Sequence, residues 1–245
     1  MLFSLCNAIE LKASDANEMY NQANLLYKNE KYQQAIELYG KIIFNGYSNA
    51  SVYFNLGNSY YKTGNIAAAI LNYERALKLN PEDEDIAYNL KLANMQTVDK
   101  IEPTPMVFYE KWWLQLLNSS TSDARAKIGL ILLFAATAIF MVYIFINASL
   151  VKMISFFGST AFFLSALFFL VLAWSQYSYQ NNHREAVVFS SNEYVKSSPE
   201  SEGKNLFMLH SGTKVEVMDE LQGWYKIRIA NGNQGWIISE AIEKI

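Results

Sequence analysis

Apolar and polar positions follow three different rhythms along this chain, and each predicts a different kind of structure. From residue 15 to about 98, apolar side chains return at the spacing of amphipathic helices. Residues 128–146 and 153–174 then carry no charge and no polar stripe. Runs of about 20 apolar residues span a bilayer core as helices, whereas helices of a soluble core keep a polar face. The pair therefore predicts a transmembrane hairpin over 128–174, connected through 147–152, with both chain ends on one side. Beyond residue 186 the pattern shortens again. Runs at 187–189, 194–196, 214–218, 224–229 and 235–238, separated by Gly, Pro, Ser and Asn, predict five strands in a small barrel. The expected fold class is thus multidomain: an all-α region, a two-helix membrane hairpin and a small all-β domain.

The helical region repeats itself. Setting 16–49 against 50–83 pairs Asn21 with Asn55, Asn24 with Asn58, Tyr27 with Tyr61, Ala35 with Ala69, Ile36 with Ile70 and Tyr39 with Tyr73. That 34-residue period is the length of stacked helix-turn-helix units. The second unit carries Gly57, Tyr60, Ala69, Tyr73, Ala76 and Pro81. Gly57 and Ala69 let two helices approach, Tyr60 and Tyr73 fill the remaining gap, and Pro81 cannot continue the helix before it. These positions resemble the tetratricopeptide repeat. Asn89 and Leu90 begin a third pass over 84–98, expected to be a helix that covers the open end of the stack.

Asparagine is an indifferent helix former, yet Asn21, Asn55 and Asn89 recur at the period, as do Asn24 and Asn58. In tetratricopeptide stacks the first helix of each unit lines a concave groove. The resemblance therefore implies that these five amides form a peptide-binding groove, and amides offer both donors and acceptors to an extended backbone. In the carboxylate-clamp subgroup, asparagines matching Asn24 and Asn55 hold a peptide carboxylate. The basic residues of that clamp have no match here, since Tyr20 stands where a lysine is wanted. Bonds between neighbouring helices are the competing role for the same side chains.

In the β-patterned part, LHSGTKVEV (209–217), GWYKI (223–227) and NGNQGWI (231–237) resemble the bacterial SH3-like domain. The resemblance implies a ligand face that includes Trp224, Tyr225 and Trp236, able to hold a peptide or a wall stem peptide. Partial burial in the core is the plainer expectation for such tryptophans.

The linker 99–127 opens on Glu102-Pro103-Thr104-Pro105, whose prolines keep it extended. Residues 106–117 then predict a short helix rich in aromatics. Trp112 and Trp113, with Trp174 at the end of the second apolar run, suit the headgroup zone of a membrane. Docking on a partner is the rival role for that helix. A second linker, 175–185, leads to the SH3-like domain at 186–245. At the other end, MLFSLCNA within residues 1–14 resembles a truncated signal segment with processing after Ala8.

A net charge of −3 leaves no basic face for nucleic acid. The single cysteine, Cys6, forms no internal disulfide. His183 and His210 lie in an exit segment and a turn, where surface placement is expected. No nucleophile elbow, phosphate loop or dinucleotide fingerprint is present in the sequence. No catalytic, metal or cofactor-binding residue is expected, and the chain reads as a non-enzyme. Lys111, Arg125, Lys127 and Arg184 flank the hairpin, against Lys152 in its connection. Counted alone, these would place both domains in the cytoplasm. The signal-like start and the SH3-like domain point outward, and the expected location is the inner membrane with both domains periplasmic.

The order of modules, including the run through Asp99-Lys100-Ile101, resembles the BatE family of the Bat aerotolerance operon. That resemblance covers almost the whole chain. It implies a membrane-anchored scaffold that binds other Bat-type membrane proteins in an envelope complex linked to oxidative stress. A peptidoglycan-binding wall sensor is the alternative, and a transporter assembly subunit a weaker one.

Overall fold

The computed structural model describes residues 2–245, with side chains from residue 15 onward except at 118 and 180–182. The signal segment expected at 1–14, with processing after Ala8, falls among side chains outside that set. The chain forms two compact units, Met1–Pro105 with His183–Ile245, and Met106–Asn182.

The first unit begins with five helices, α1 (Leu2–Lys28), α2 (Tyr32–Phe44), α3 (Ala50–Lys62), α4 (Ile66–Leu79) and α5 (Glu84–Met95). Asn49, Asn65 and Asp83 accept backbone N–H groups at the starts of α3, α4 and α5, as short polar side chains do at N-caps. The helices pack in antiparallel pairs around Ala23, Ala35, Tyr39 and Ile42, then around Ala69, Tyr73 and Ala76. A Cβ at Gly57 would lie 2.7 Å from the Tyr73 ring, so only glycine admits that tyrosine between α3 and α4. Tyr60 packs against both clusters, and Pro81 follows the Asn80 cap of α4.

The C-terminal part is antiparallel and all-β. It has seven strands rather than the five expected: β1 (Arg184–Val188), β2 (Asn192–Lys196), β3 (Asn205–His210), β4 (Lys214–Leu221), β5 (Trp224–Arg228), β6 (Gln234–Ile238) and β7 (Ile242–Lys244). The sequence hid β3 because Leu206-Phe-Met-Leu209 does not alternate, and β7 because it is only three residues long. The strand order is β3-β2-β6-β5-β4-β1-β7. Ala186, Val188, Val195, Leu209, Val217, Ile227 and Ile237 share one core, so the sheet curls upon itself.

The helical and β parts of this unit are packed together. Successive strand residues face opposite ways, and β1 uses both faces. Ala186 and Val188 enter the β core, while Val187 joins Ala67, Ile70 and Leu71 of α4. Phe189 and Ile245 pack against the same helical cluster. The β3–β4 turn reaches α4 through Gly212, at φ +92°, where a Cβ would stand 2.8 Å from Thr97 Cγ2 and 3.3 Å from Ile70 Cδ1.

The second unit holds α6 (Phe108–Asn118), α7 (Ser122–Phe145) and α8 (Ser149–Asn182). Both α7 and α8 contain stretches long and apolar enough to cross a membrane. Their apolar side chains are mostly exposed within the unit, unlike those of core helices in a soluble protein.

Candidate functional site

The recurrent asparagines lie on α1, α3 and α5, the first helices of successive repeats. The structure joins them in two equivalent ladders. Asn24 Oδ1 accepts from the Tyr39 hydroxyl at 2.5 Å and from Asn55 Nδ2 at 3.0 Å. One period later, Asn58 Oδ1 accepts from the Tyr73 hydroxyl at 2.8 Å and from Asn89 Nδ2 at 2.9 Å. Burial, with lesser effects of nearby tyrosines, pushes the Tyr39 and Tyr73 phenols far above their ordinary range, so both remain donors. Asn21 stays outside the ladders and is exposed. Its counterparts Asn55 and Asn89 each bond the preceding repeat, and no repeat precedes Asn21 among the described residues.

These amides therefore brace neighbouring helices, but only with half of their capacity. Asn24 Nδ2, Asn58 Nδ2, Asn55 Oδ1 and Asn89 Oδ1 have no hydrogen bond to protein among the described residues. A cavity of about 170 Å³ opens beside the second ladder, lined by Tyr27, Asn58, Lys62, Tyr73 and Asn89.

On the β domain the three expected ligand-face residues separate. Directly opposed residues of antiparallel strands share a face, so Trp236 stands between Lys196 and Lys226, and Trp224 beside Ile238 and Leu221. Lys196 Nζ also lies 6.0 Å from the Trp224 ring. Tyr225 points the other way, as the next residue in a strand must. It packs against the β core with Lys244 Nζ 4.4 Å from its ring.

A polar joint between the repeats and the β domain has little signal in the sequence. Lys214 Nζ bridges Glu74 at 2.9 Å and Glu185 at 3.0 Å. Burial pulls the Lys214 pKa down, but the two carboxylates outweigh it and hold the ammonium charged. Burial raises Glu74, which Lys214 only partly offsets. Arg75 reaches Glu243 at 3.1 Å and the Lys244 carbonyl at 2.6 Å.

Residues 99–104, expected as linker, lie against the sheet. Asp99 accepts from the His210 backbone N–H at 2.8 Å and the Thr213 hydroxyl at 2.5 Å, and meets His210 Nδ1 at 2.6 Å. Burial alone would raise the Asp99 pKa, but the bonds from Thr213 and His210 prevail and lower it. His210 is therefore an interdomain partner at the end of β3 rather than a surface residue in a turn. Ile101 packs on the β core, and the Thr104 N–H donates to the Ala230 carbonyl at 3.0 Å. Asp219 and Glu220 lie within β4.

In the second unit, Trp112, Trp113 and Trp174 are all exposed. No group of three or more His, Cys, Asp or Glu side chains among the described residues is placed to hold a metal.

Residues 20–93 match the family model "Tetratricopeptide repeat", and residues 191–243 match "Bacterial SH3 domain". Two similar solved structures are YrrB, described as a TPR protein with an unusual peptide-binding site, and a TPR repeats protein from Bacteroides fragilis. The first is 18% identical over 70% of this chain and 78% of its own, with a TM-score of 0.33. The second is 15% identical over 71% and 82%, with a TM-score of 0.31. No curated protein matches the sequence. The chain thus carries tetratricopeptide repeats and a bacterial SH3 domain, with two apolar helices set between them.

Proposed function

We propose that the chain is a membrane-anchored, non-catalytic scaffold whose repeat groove holds an extended peptide of a partner protein. One observation carries this reading: among the described residues each asparagine ladder leaves an open amide donor and an open amide acceptor on the groove helices, and the second ladder lies beside a cavity. An extended peptide backbone presents the matching pair. The exposed apolar surfaces of α7 and α8 support their role as the two spans of the anchor. The order of modules is also that of the BatE family, which makes other Bat-type membrane proteins and a role in aerotolerance part of the proposal.

The test must spare the hydrogen bonds of the buried tyrosines. Asn24 and Asn58 accept from buried tyrosines, and alanine there would leave those hydroxyls unpaired. Asn55→Ala/Asn89→Ala/Lys62→Ala keeps both tyrosine bonds, gives up the Asn–Asn bonds between repeats and removes groove-side polar groups. Pull-downs with detergent-solubilised protein will lose partners in this variant while its melting temperature stays within a few degrees. An unchanged partner list would remove the groove from the account.

A second reading is favoured by the sheet face with Trp236 between two lysines, which suits an anionic, sugar- or peptide-bearing wall polymer. It requires the periplasmic placement. The full chain in detergent is expected to co-sediment with purified sacculi, and an impermeant thiol reagent to reach Ser198→Cys in intact cells. A protected Ser198→Cys, or protein left in the supernatant, would end the wall reading.

A further inference from the structure

Helix α6 has no role in either binding surface, yet it is built into the second unit with unusual care. The Arg125 side chain, at the start of α7, is buried, with a relative exposure of 3%. Its guanidinium donates to the Leu117 carbonyl at 2.9 Å, to the Leu116 carbonyl, to Ser119 Oγ at 3.2 Å and to Gln176 Oε1 on α8. Gln176 Nε2 in turn donates to the Ser120 carbonyl at 2.7 Å. Arg125 thus satisfies carbonyls that the end of α6 leaves open and places a cation at its negative pole. Leu117 is buried where α6 meets α8. One charged side chain and one amide fix α6 to both long helices.

What α6 presents is apolar. At 100° per residue, Phe108, Tyr109, Trp112, Trp113 and Leu116 fall on one continuous arc, with Glu110 and Lys111 on the opposite side. Phe108 is 85% exposed and Trp112 61% exposed. An arc of large aromatics is left bare by the fold in the same unit as the bare apolar surfaces of α7 and α8.

We infer that α6 is an in-plane membrane helix, held at the base of the hairpin by Arg125 and Gln176, with its aromatic arc embedded at the boundary between phospholipid headgroups and acyl chains. The inference rests on α7 and α8 being spans. Aromatic side chains with a polar edge are favoured at that depth, and an interfacial helix buries its apolar face roughly 5–10 Å into the boundary. Apolar area rather than charge drives the contact, because Lys111 is the one cation on α6. Arg125, whose charge would otherwise count towards orientation by the positive-inside rule, is committed to the α6 carbonyls.

Nitroxide scanning of the full chain in phosphatidylcholine liposomes tests this, in a Cys6→Ala background that removes the one native thiol. Labels at Phe108→Cys and Trp112→Cys are expected to contact oxygen in preference to a water-soluble nickel chelate. Labels at Glu110→Cys and Lys111→Cys should show the reverse, with no change in 1 M salt. A label at Phe134→Cys, midway along α7, should be deepest of all. A deep Phe134 label with water-exposed labels at 108 and 112 would overturn the placement of α6 and leave the spans intact. A shallow Phe134 label would instead overturn the spans. Arg125→Ala should abolish the alternation between the two sectors of α6 while Phe134 stays deep. Retained alternation there would remove Arg125 from its positioning role.

Discussion

Replacing Asp99 with alanine will destabilise the first unit by about 2–4 kcal/mol, as several hydrogen bonds to one carboxylate disappear together. The carboxylate gathers the His210 backbone N–H, the His210 ring and the Thr213 hydroxyl at 2.5–2.8 Å. Its removal leaves those groups without a partner in a mostly covered site. Asp99→Asn keeps one acceptor oxygen but not the charge, so its loss should be about half as large. The pH dependence has a definite sign. Asp99 titrates below the ordinary value of 3.8, so its stabilising contribution is complete above that value. It is lost as pH falls through the lowered value. Urea midpoints of the detergent-solubilised chain at neutral and acid pH measure both effects. The gap between wild type and Asp99→Asn should narrow in acid. An Asp99→Ala variant within about 0.5 kcal/mol of wild type, the range of ordinary surface changes, would contradict the assignment.

The second large effect compares equivalent positions of the two repeats. Leu71 in α4 corresponds to Glu37 in α2, and Ala67 to Gln33. Glu37 and Gln33 are exposed, whereas Leu71 and Ala67 are buried in the cluster that includes Val187 of β1. Leu71→Ala should therefore cost about 2–5 kcal/mol, the range for emptying a packed core site. Glu37→Ala should change stability by less than about 0.5 kcal/mol. The same denaturation experiment reads both. Similar small effects at the two positions would mean that α4 has no cover beyond that of α2.

Those positions also mark how far the sequence could be read. Period 34 and the Gly57–Tyr73 pairing were visible because close helix packing demands particular side-chain sizes at fixed spacing. The two apolar helices were visible because long uncharged runs without a polar stripe stand out from the rest of the chain. The joint left two signals of its own. Helix α4 is apolar on faces where α2 carries Gln33 and Glu37, and Ala186-Val-Val-Phe189 is apolar without alternation, as a strand covered on both faces is. Neither signal names the partner, since the covering surfaces lie more than a hundred residues apart in the chain. Asp99 was not legible at all, because one aspartate in a polar linker looks like any other. The asparagine ladders were half legible. Their recurrence was plain, but only coordinates show that Oδ1 of Asn24 and Asn58 braces a tyrosine, leaving the other halves of the amides open. Trp224 and Tyr225 are neighbours in sequence, yet a strand sends them to opposite sides, so Tyr225 leaves the aromatic face.

In the proposed function, the joint turns two binding modules into one body. A peptide in the repeat groove and a ligand on the Trp224–Trp236 face would then be held at a fixed separation. Hydrogen exchange of the full chain, comparing wild type with Leu71→Ala, tests that claim most directly. If the repeats and the β domain fold as one unit, weakening α4 will speed exchange in α4 and in β1, β4 and β5 together, by similar factors. Faster exchange confined to α4 and its neighbouring helices, with the β strands unchanged, would contradict it.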